Sequence, residues 1–140
     1  MGVEELGENQ MSQSAGNAAT EPVLEMNRLV ELRTIQIPGE QDLVAKLFDL
    51  FLRTSTKHLA GLAQLGRERD LKNLQEEAHA FKSGARTLGA VRLGNACRSL
   101  EEICVAATES EVPAAIEMIL HEYQLLVAEM ERVRKLPVDV

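Results

Sequence analysis

The stretch EEAHAFKSGARTLGA, residues 76–90, places His79 three positions before Lys82, with Ser83, Gly84 and Ala85 directly after the lysine. On a helix, positions i, i+3 and i+4 are neighbours, so an imidazole, an ammonium and a patch of minimal side chains share one surface. A neutral imidazole is a nucleophile toward an activated phosphoryl group, and an ordinary exposed imidazole is substantially neutral near pH 7. The product is a phosphoramidate with about two negative charges. Lys82, helped by Arg86, is placed to offset that charge as it develops. Small residues beside the ring leave room for the loops of another protein. No general base accompanies His79 within the motif, and no Gly-rich nucleotide loop occurs in the chain, so the pattern falls short of a complete enzyme.

A His–Lys pair alone is also what solvated helix surface looks like. His58, in TSTKHLAGL, has Lys57 before it but no cation at +3. His121 falls between Ile119 and Tyr123, off their apolar line, with no cation or small-residue patch following. Both read as surface residues. Glu76-Glu77-Ala78-His79 contains one ExxH, the unit of di-iron carboxylate bundles. That architecture needs two such units and two further inward glutamates. His58 and His121 have Ser55 and Met118 at −3, so the second unit is missing. No metal or cofactor site is expected.

The elements that must position His79 follow from the apolar spacing. Leu71, Leu74, Ala78, Phe81, Ala85 and Leu88 recur in unbroken 3–4 steps, with Asp70 as N-cap and Gly89 as stop. Before this lies a helix beginning near Glu40, with Leu43, Leu47, Leu50, Phe51 and Thr54, then Leu59, Leu62 and Leu65, and a stop at Gly66. After it comes a helix carrying Leu93, Cys97, Leu100, Cys104 and Ala107. A turn at residues 109–111 leads to a last helix with Pro113 in its first turn and Pro137 at its close. Its apolar line is Val112, Ile116, Ile119, Tyr123, Leu126, Met130 and Val133. A short segment over Val23–Arg33 ends at the breaker Ile37-Pro38-Gly39. Short connections between amphipathic helices predict an all-α, antiparallel four-helix bundle, with the extra N-terminal helix as a lid. At about 100° per residue, His79 lies about 130° from the centre of its helix's apolar seam, facing solvent, with Gln75, Lys82, Ser83 and Arg86 around it.

Composition agrees. The 140 residues suit one domain, and 45% are hydrophobic but only 3% aromatic, with no Trp, so the core is aliphatic and helical rather than a β-sandwich. Residues 1–22 lack apolar periodicity and read as a disordered acidic tail, carrying four of the seven net negative charges as Glu4, Glu5, Glu8 and Glu21. The bundle is placed at 23–137. Without a basic stripe, nucleic acid is not an expected partner. No apolar run of membrane length and no leader opens the chain, and Leu6 stands where myristoylation after Met1-Gly2 wants Ser or Thr. A cytoplasmic protein is the expectation. Cys97 and Cys104 are two turns apart on one helix, too far for a disulfide, and read as buried core thiols.

The stretch AHAFKSGARTLGAVRLGNACRSLE resembles the signature of histidine-containing phosphotransfer (HPt) domains. In that family the phosphoaccepting His is followed by Lys at +3, small residues at +4 and +5, Gly-Ala at +10 and +11, Leu at +14, often Cys at +18, and Leu-Glu at +21 and +22. Here these are His79, Lys82, Ser83, Gly84, Gly89, Ala90, Leu93, Cys97, Leu100 and Glu101. One departure is the order Ser83-Gly84, where many members have Gly then Ser. The resemblance implies a four-helix bundle that accepts a phosphoryl group on His79 from a receiver-domain aspartate and passes it to another receiver. Lys82 would stabilise charge. Gln75, Ser83, Gly84 and Arg86 would lie in the partner-binding surface, and Mg²⁺ would belong to the receiver. Expected partners are response-regulator receivers or a hybrid histidine kinase, with the protein itself a monomer lacking kinase activity. Sensor-kinase dimerisation helices usually follow their His with an acid and a nearby Pro, whereas here Ala80 follows and the helix has no Pro. The alternative is an adaptor bundle that binds receivers without relaying phosphate.

Overall fold

The computed structural model describes residues 21–40 and 42–136. They form five α-helices: α1 (Met26–Thr34), α2 (Leu43–Glu68), α3 (Leu71–Leu88), α4 (Val91–Val105) and α5 (Val112–Arg134), with a 3₁₀ turn at Glu109–Glu111 before α5. Helix α2 packs on α3, α3 on α4, α4 on α5, and α5 returns to α2, which closes a four-helix bundle. Residues 1–20 of the expected tail and the expected stop at Pro137 lie outside the described residues.

Local chemistry sets the helix ends. The Asp70 side chain accepts the Asn73 N–H at 3.2 Å, and Gly89 closes α3 at φ 92°, a conformation that costs glycine nothing. Helix α2 starts at Leu43, later than expected, because Asp42 is its N-cap, accepting from Val44 N at 3.0 Å and Ala45 N at 3.4 Å. It also runs through Gly66 to Glu68, where Arg69 takes the left-handed cap at φ 56°. Gly66 is therefore not a stop. A Cβ there would meet Ile116 Cδ1 at 2.7 Å, so the glycine lets α5 approach α2.

The core is aliphatic around Phe48, Phe51 and Phe81. Helix α3 buries Leu74, Ala78, Phe81, Ala85 and Leu88, as its spacing predicts. Helix α2 differs. Its buried line is Val44, Phe48, Phe51, Ser55 and Leu62, while Leu43 and Leu47 are half-buried and Leu50 is 49% exposed. Both lines are apolar, and the two phenylalanines take the centre because they remove the most surface from water. Ala107, expected in the α4 seam, is exposed at φ 56°, because α4 has ended two residues earlier. Leu24 and Leu29 are buried where the N-terminal segment crosses the α3–α4 turn. There Glu25 N donates to Gly89 O at 2.8 Å, and Asn95 Nδ2 donates to Glu21 Oε2 at 3.0 Å.

Candidate functional site

The turn at Gly89-Ala90 folds α3 back on α4 as a helical hairpin. His79 and Glu101 come to face each other, as do Arg86 and Gly94 nearer the turn. The His79 side chain is 64% exposed, with Nδ1 2.9 Å from Glu101 Oε2. Lys82 Nζ lies 2.6 Å from the other oxygen, Oε1. One carboxylate from α4 thus serves both residues of the α3 motif. Partial burial pushes the Glu101 carboxyl up, but hydrogen bonds from Lys82 and His79, reinforced by their charges, outweigh it and hold it below the ordinary carboxylate value. Beneath, burial and the nearby Glu101 charge push the Cys97 thiol up to about 12, against the opposing pull of Lys82 and Arg86, so it is a neutral core group.

The sequence-predicted residues fall on three parts of this surface. Gln75 and Lys82 line a cleft of about 380 Å³ between α3 and α4, together with Arg98, Glu101 and Val105. Ser83 and Gly84 face the other way, into an apolar groove of about 480 Å³ whose further walls include Leu32, Leu47 and Leu50. Apart from its chain neighbours and its own helix backbone, no atom of the described residues lies within 4 Å of where a Gly84 Cβ would stand, and the Ser83 hydroxyl donates back to His79 O at 3.1 Å. The Arg86 side chain lies over Gly94, where a Cβ would meet its Cγ at 3.1 Å, and the residue is exposed.

Three readings are corrected. Lys82 is not free on the surface. Its side chain is only 16% exposed, drawn by Glu101 into the α3–α4 seam. His79 does have a partner, Glu101, which the search for a base within the motif missed because it comes across the hairpin. The available signal was the Leu100-Glu101 pair at +21 and +22. His58 is not an ordinary surface residue either. Its Nδ1 is 3.0 Å from Glu77 Oε2, and its ring stacks on Phe81 at 5.1 Å between centroids. His121 is exposed, as read. Glu76 and His79, the two ends of the single ExxH, are both exposed, so the unit does not point into the bundle.

The Hpt domain family model matches residues 46–136. The chain belongs to the Hpt domain family. It is 28% identical over 109 residues to histidine-containing phosphotransfer protein 5 of Arabidopsis thaliana, covering 75% of this chain and 69% of that protein. The fold is similar to histidine-containing phosphotransfer protein B from Pseudomonas aeruginosa PAO1, with TM-score 0.73 and 28% identity over 83% of this chain and 97% of that one. A histidine-containing phosphotransfer protein from Medicago truncatula shares the fold at TM-score 0.73 and 19% identity, over 94% and 87% of the two chains. This Hpt domain is a phosphorelay intermediate of two-component signalling, and proteins of its family work with receiver domains and histidine kinases. No described helix is long and apolar enough to cross a membrane.

Proposed function

We propose that His79 is the phosphoacceptor of this relay, taking a phosphoryl group from a receiver-domain aspartate and returning it to another receiver. The observation that carries the reading is the exposed His79 ring with Lys82 beside it on one shared carboxylate, next to a surface without bulk. The ring attacks phosphorus, and Lys82 offsets the charge that builds on the phosphoryl oxygens. Gln75, at the mouth of the cleft, orients the group. The partner's loops come down over Ser83 and Gly84, with Arg86 meeting acidic side chains at the rim. Mg²⁺ is supplied by the receiver. The reading takes the protein to be a cytoplasmic monomer, since a dimer through the α3–α4 face would cover His79. It has no kinase activity of its own.

Phosphotransfer from a phosphorylated receiver tests this, with wild type and His79→Gln run side by side and acid-labile label followed on each. Label on wild type alone is the expected result. Label on both moves the acceptor elsewhere. If neither takes label while both bind the same receivers, the bundle is an adaptor.

A further inference from the structure

We infer that the acidic stretch at residues 3–8 of this same chain docks in the apolar groove beside Gly84 and competes there with receivers. The inference rests on the reading that receivers come down over Ser83 and Gly84, and it supplies the groove with an occupant when no receiver is bound.

The groove, of about 480 Å³, is walled by Leu32, Leu47, Leu50 and Phe51. Leu50 and Thr54 also line a second hollow, which carries the surface onward across α2 to Arg53 and Lys57. Lys46, Leu50, Arg53 and Lys57 stand four, three and four positions apart, so they form one line along the helix, and all four are exposed. None of these three cations is in an ion pair among the described residues. Asp49, the acid on that part of α2, is turned to Arg134 of α5. Arg28 of α1 adds a further cation to the groove wall, shared with Glu31 at 3.5 Å. An apolar trough with a positive rim fits an acidic segment that carries a few apolar side chains.

The start of the chain is the complement of that rim. No Lys or Arg occurs before Arg28, while Glu4, Glu5 and Glu8 surround Val3 and Leu6. Two apolar side chains suit the trough and three carboxylates suit the rim, and opposite potentials across a contact select that partner over others. Position agrees with composition. Asn95 Nδ2 donates to Glu21 Oε2 at 3.0 Å and Glu25 N to Gly89 O at 2.8 Å, so the chain reaches the bundle beside the α3–α4 turn. Gly84 lies five residues before Gly89, about 7.5 Å along α3. Leu6 lies 15 residues before Glu21, a span with an extended limit of about 50 Å. A segment tethered so close has an effective concentration on the order of millimolar, so individually weak contacts suffice. A receiver must displace it, and the receiver's apparent affinity is reduced by the fraction of molecules whose groove is free.

The test uses the full chain and ¹H–¹⁵N NMR spectra of wild type and of one tail variant that combines Glu4→Gln, Glu5→Gln, Leu6→Ser and Glu8→Gln. With no receiver present, the amide signals of Leu47, Leu50, Ser83 and Gly84 are expected to differ between the two proteins, while those of α5 coincide. Raising the salt from about 0.05 to 0.5 M brings wild type toward the variant, because the rim charges are screened. A synthetic peptide of residues 1–12, added to the variant, restores the wild-type positions. Coincident groove signals in the two proteins overturn the inference. Differences that appear only as protein concentration rises also overturn it, and give the groove to the tail of a second copy. A receiver that labels His79 in the assay above is then titrated, and it binds the tail variant about three- to tenfold more tightly than wild type. Equal receiver affinity with distinct spectra keeps the tail in the groove but overturns the receiver-docking reading, and with it the competition.

Discussion

The Glu77 carboxylate lies against α2 in the space that a side chain at Gly61 would occupy. From that notch its Oε2 meets His58 Nδ1 at 3.0 Å, and the His58 ring covers Phe81. Glycine in mid-helix ordinarily costs about 1 kcal/mol relative to alanine, so its presence marks a required close approach. Gly61→Ala must push the carboxylate end of this flexible side chain aside and break the His58 contact, a net cost of at most about 1 kcal/mol once alanine's helix propensity is set against it. In a Glu77→Ala background the notch is empty, and the same change becomes neutral or stabilising. Urea melts of the four proteins give the coupling, and an equal cost in both backgrounds would contradict this packing.

Gly84 is the opposite case. A side chain there meets nothing within 4 Å. Gly84→Ala therefore stabilises the fold by about 0.5–1 kcal/mol through helix propensity alone. Gly84→Gln folds equally well but fills the groove beside Ser83 and Leu50, and receiver affinity falls about tenfold or more, some 1.4 kcal/mol per decade. Thermal melts and a binding titration separate the two effects at one position. Unimpaired receiver binding by Gly84→Gln would place docking elsewhere.

Arg92 and Glu122 tie α4 to α5 at 2.9 Å, and the Glu122 side chain is only 6% exposed. Removing the carboxylate leaves the half-buried guanidinium without its counter-charge, so Glu122→Ala costs about 3 kcal/mol. Replacing both, Arg92→Met with Glu122→Leu, recovers most of that loss, because desolvation of the pair offsets much of its attraction. Guanidinium melts of the single and double variants check the difference.

The lowered Glu101 carboxyl makes stability depend on pH in a definite direction. Its folded value lies below the ordinary 4.5, so in that region the unfolded chain binds more protons than the native one. The stabilisation is complete above the ordinary value and is lost as pH falls through the folded one. The stability gap between wild type and Glu101→Gln should therefore shrink as pH drops from about 5 toward 3. Urea melts at stepped pH measure it. A gap that does not change with pH would mean the ionised carboxylate is not favoured by its partners.

Where a residue's role was local, the sequence carried it. Asp70 and Gly89 cap α3 through contacts with their own neighbours, and the 3–4 spacing from Leu74 to Leu88 names the buried seam directly. The exposure of His79 followed from that seam. Roles set by another helix were not legible. Gly66 has the appearance of a helix stop, and only the nearness of Ile116 makes it a packing position. On α2 two adjacent apolar lines compete, and the bundle's preference for Phe48 and Phe51 leaves Leu50 on the flank. His58 sits in a polar stretch, with its partner 19 residues away. Glu101 was legible only as a position of the resembled signature, and its contacts with His79 and Lys82 depend on the hairpin that sets the two helices face to face.

From Gln75 to Glu101, every side chain assigned to the chemistry lies on one uninterrupted helix-turn-helix, while α1, α2 and α5 supply backing and much of the groove wall. The reaction and the choice of partner are therefore separable in inheritance. On the docking proposed above, changes at Leu32, Leu47 or Leu50 would redirect the relay to a different receiver without touching the relay step. A duplicated copy of such a gene can acquire a new signalling connection in a few substitutions while its transfer chemistry stays intact.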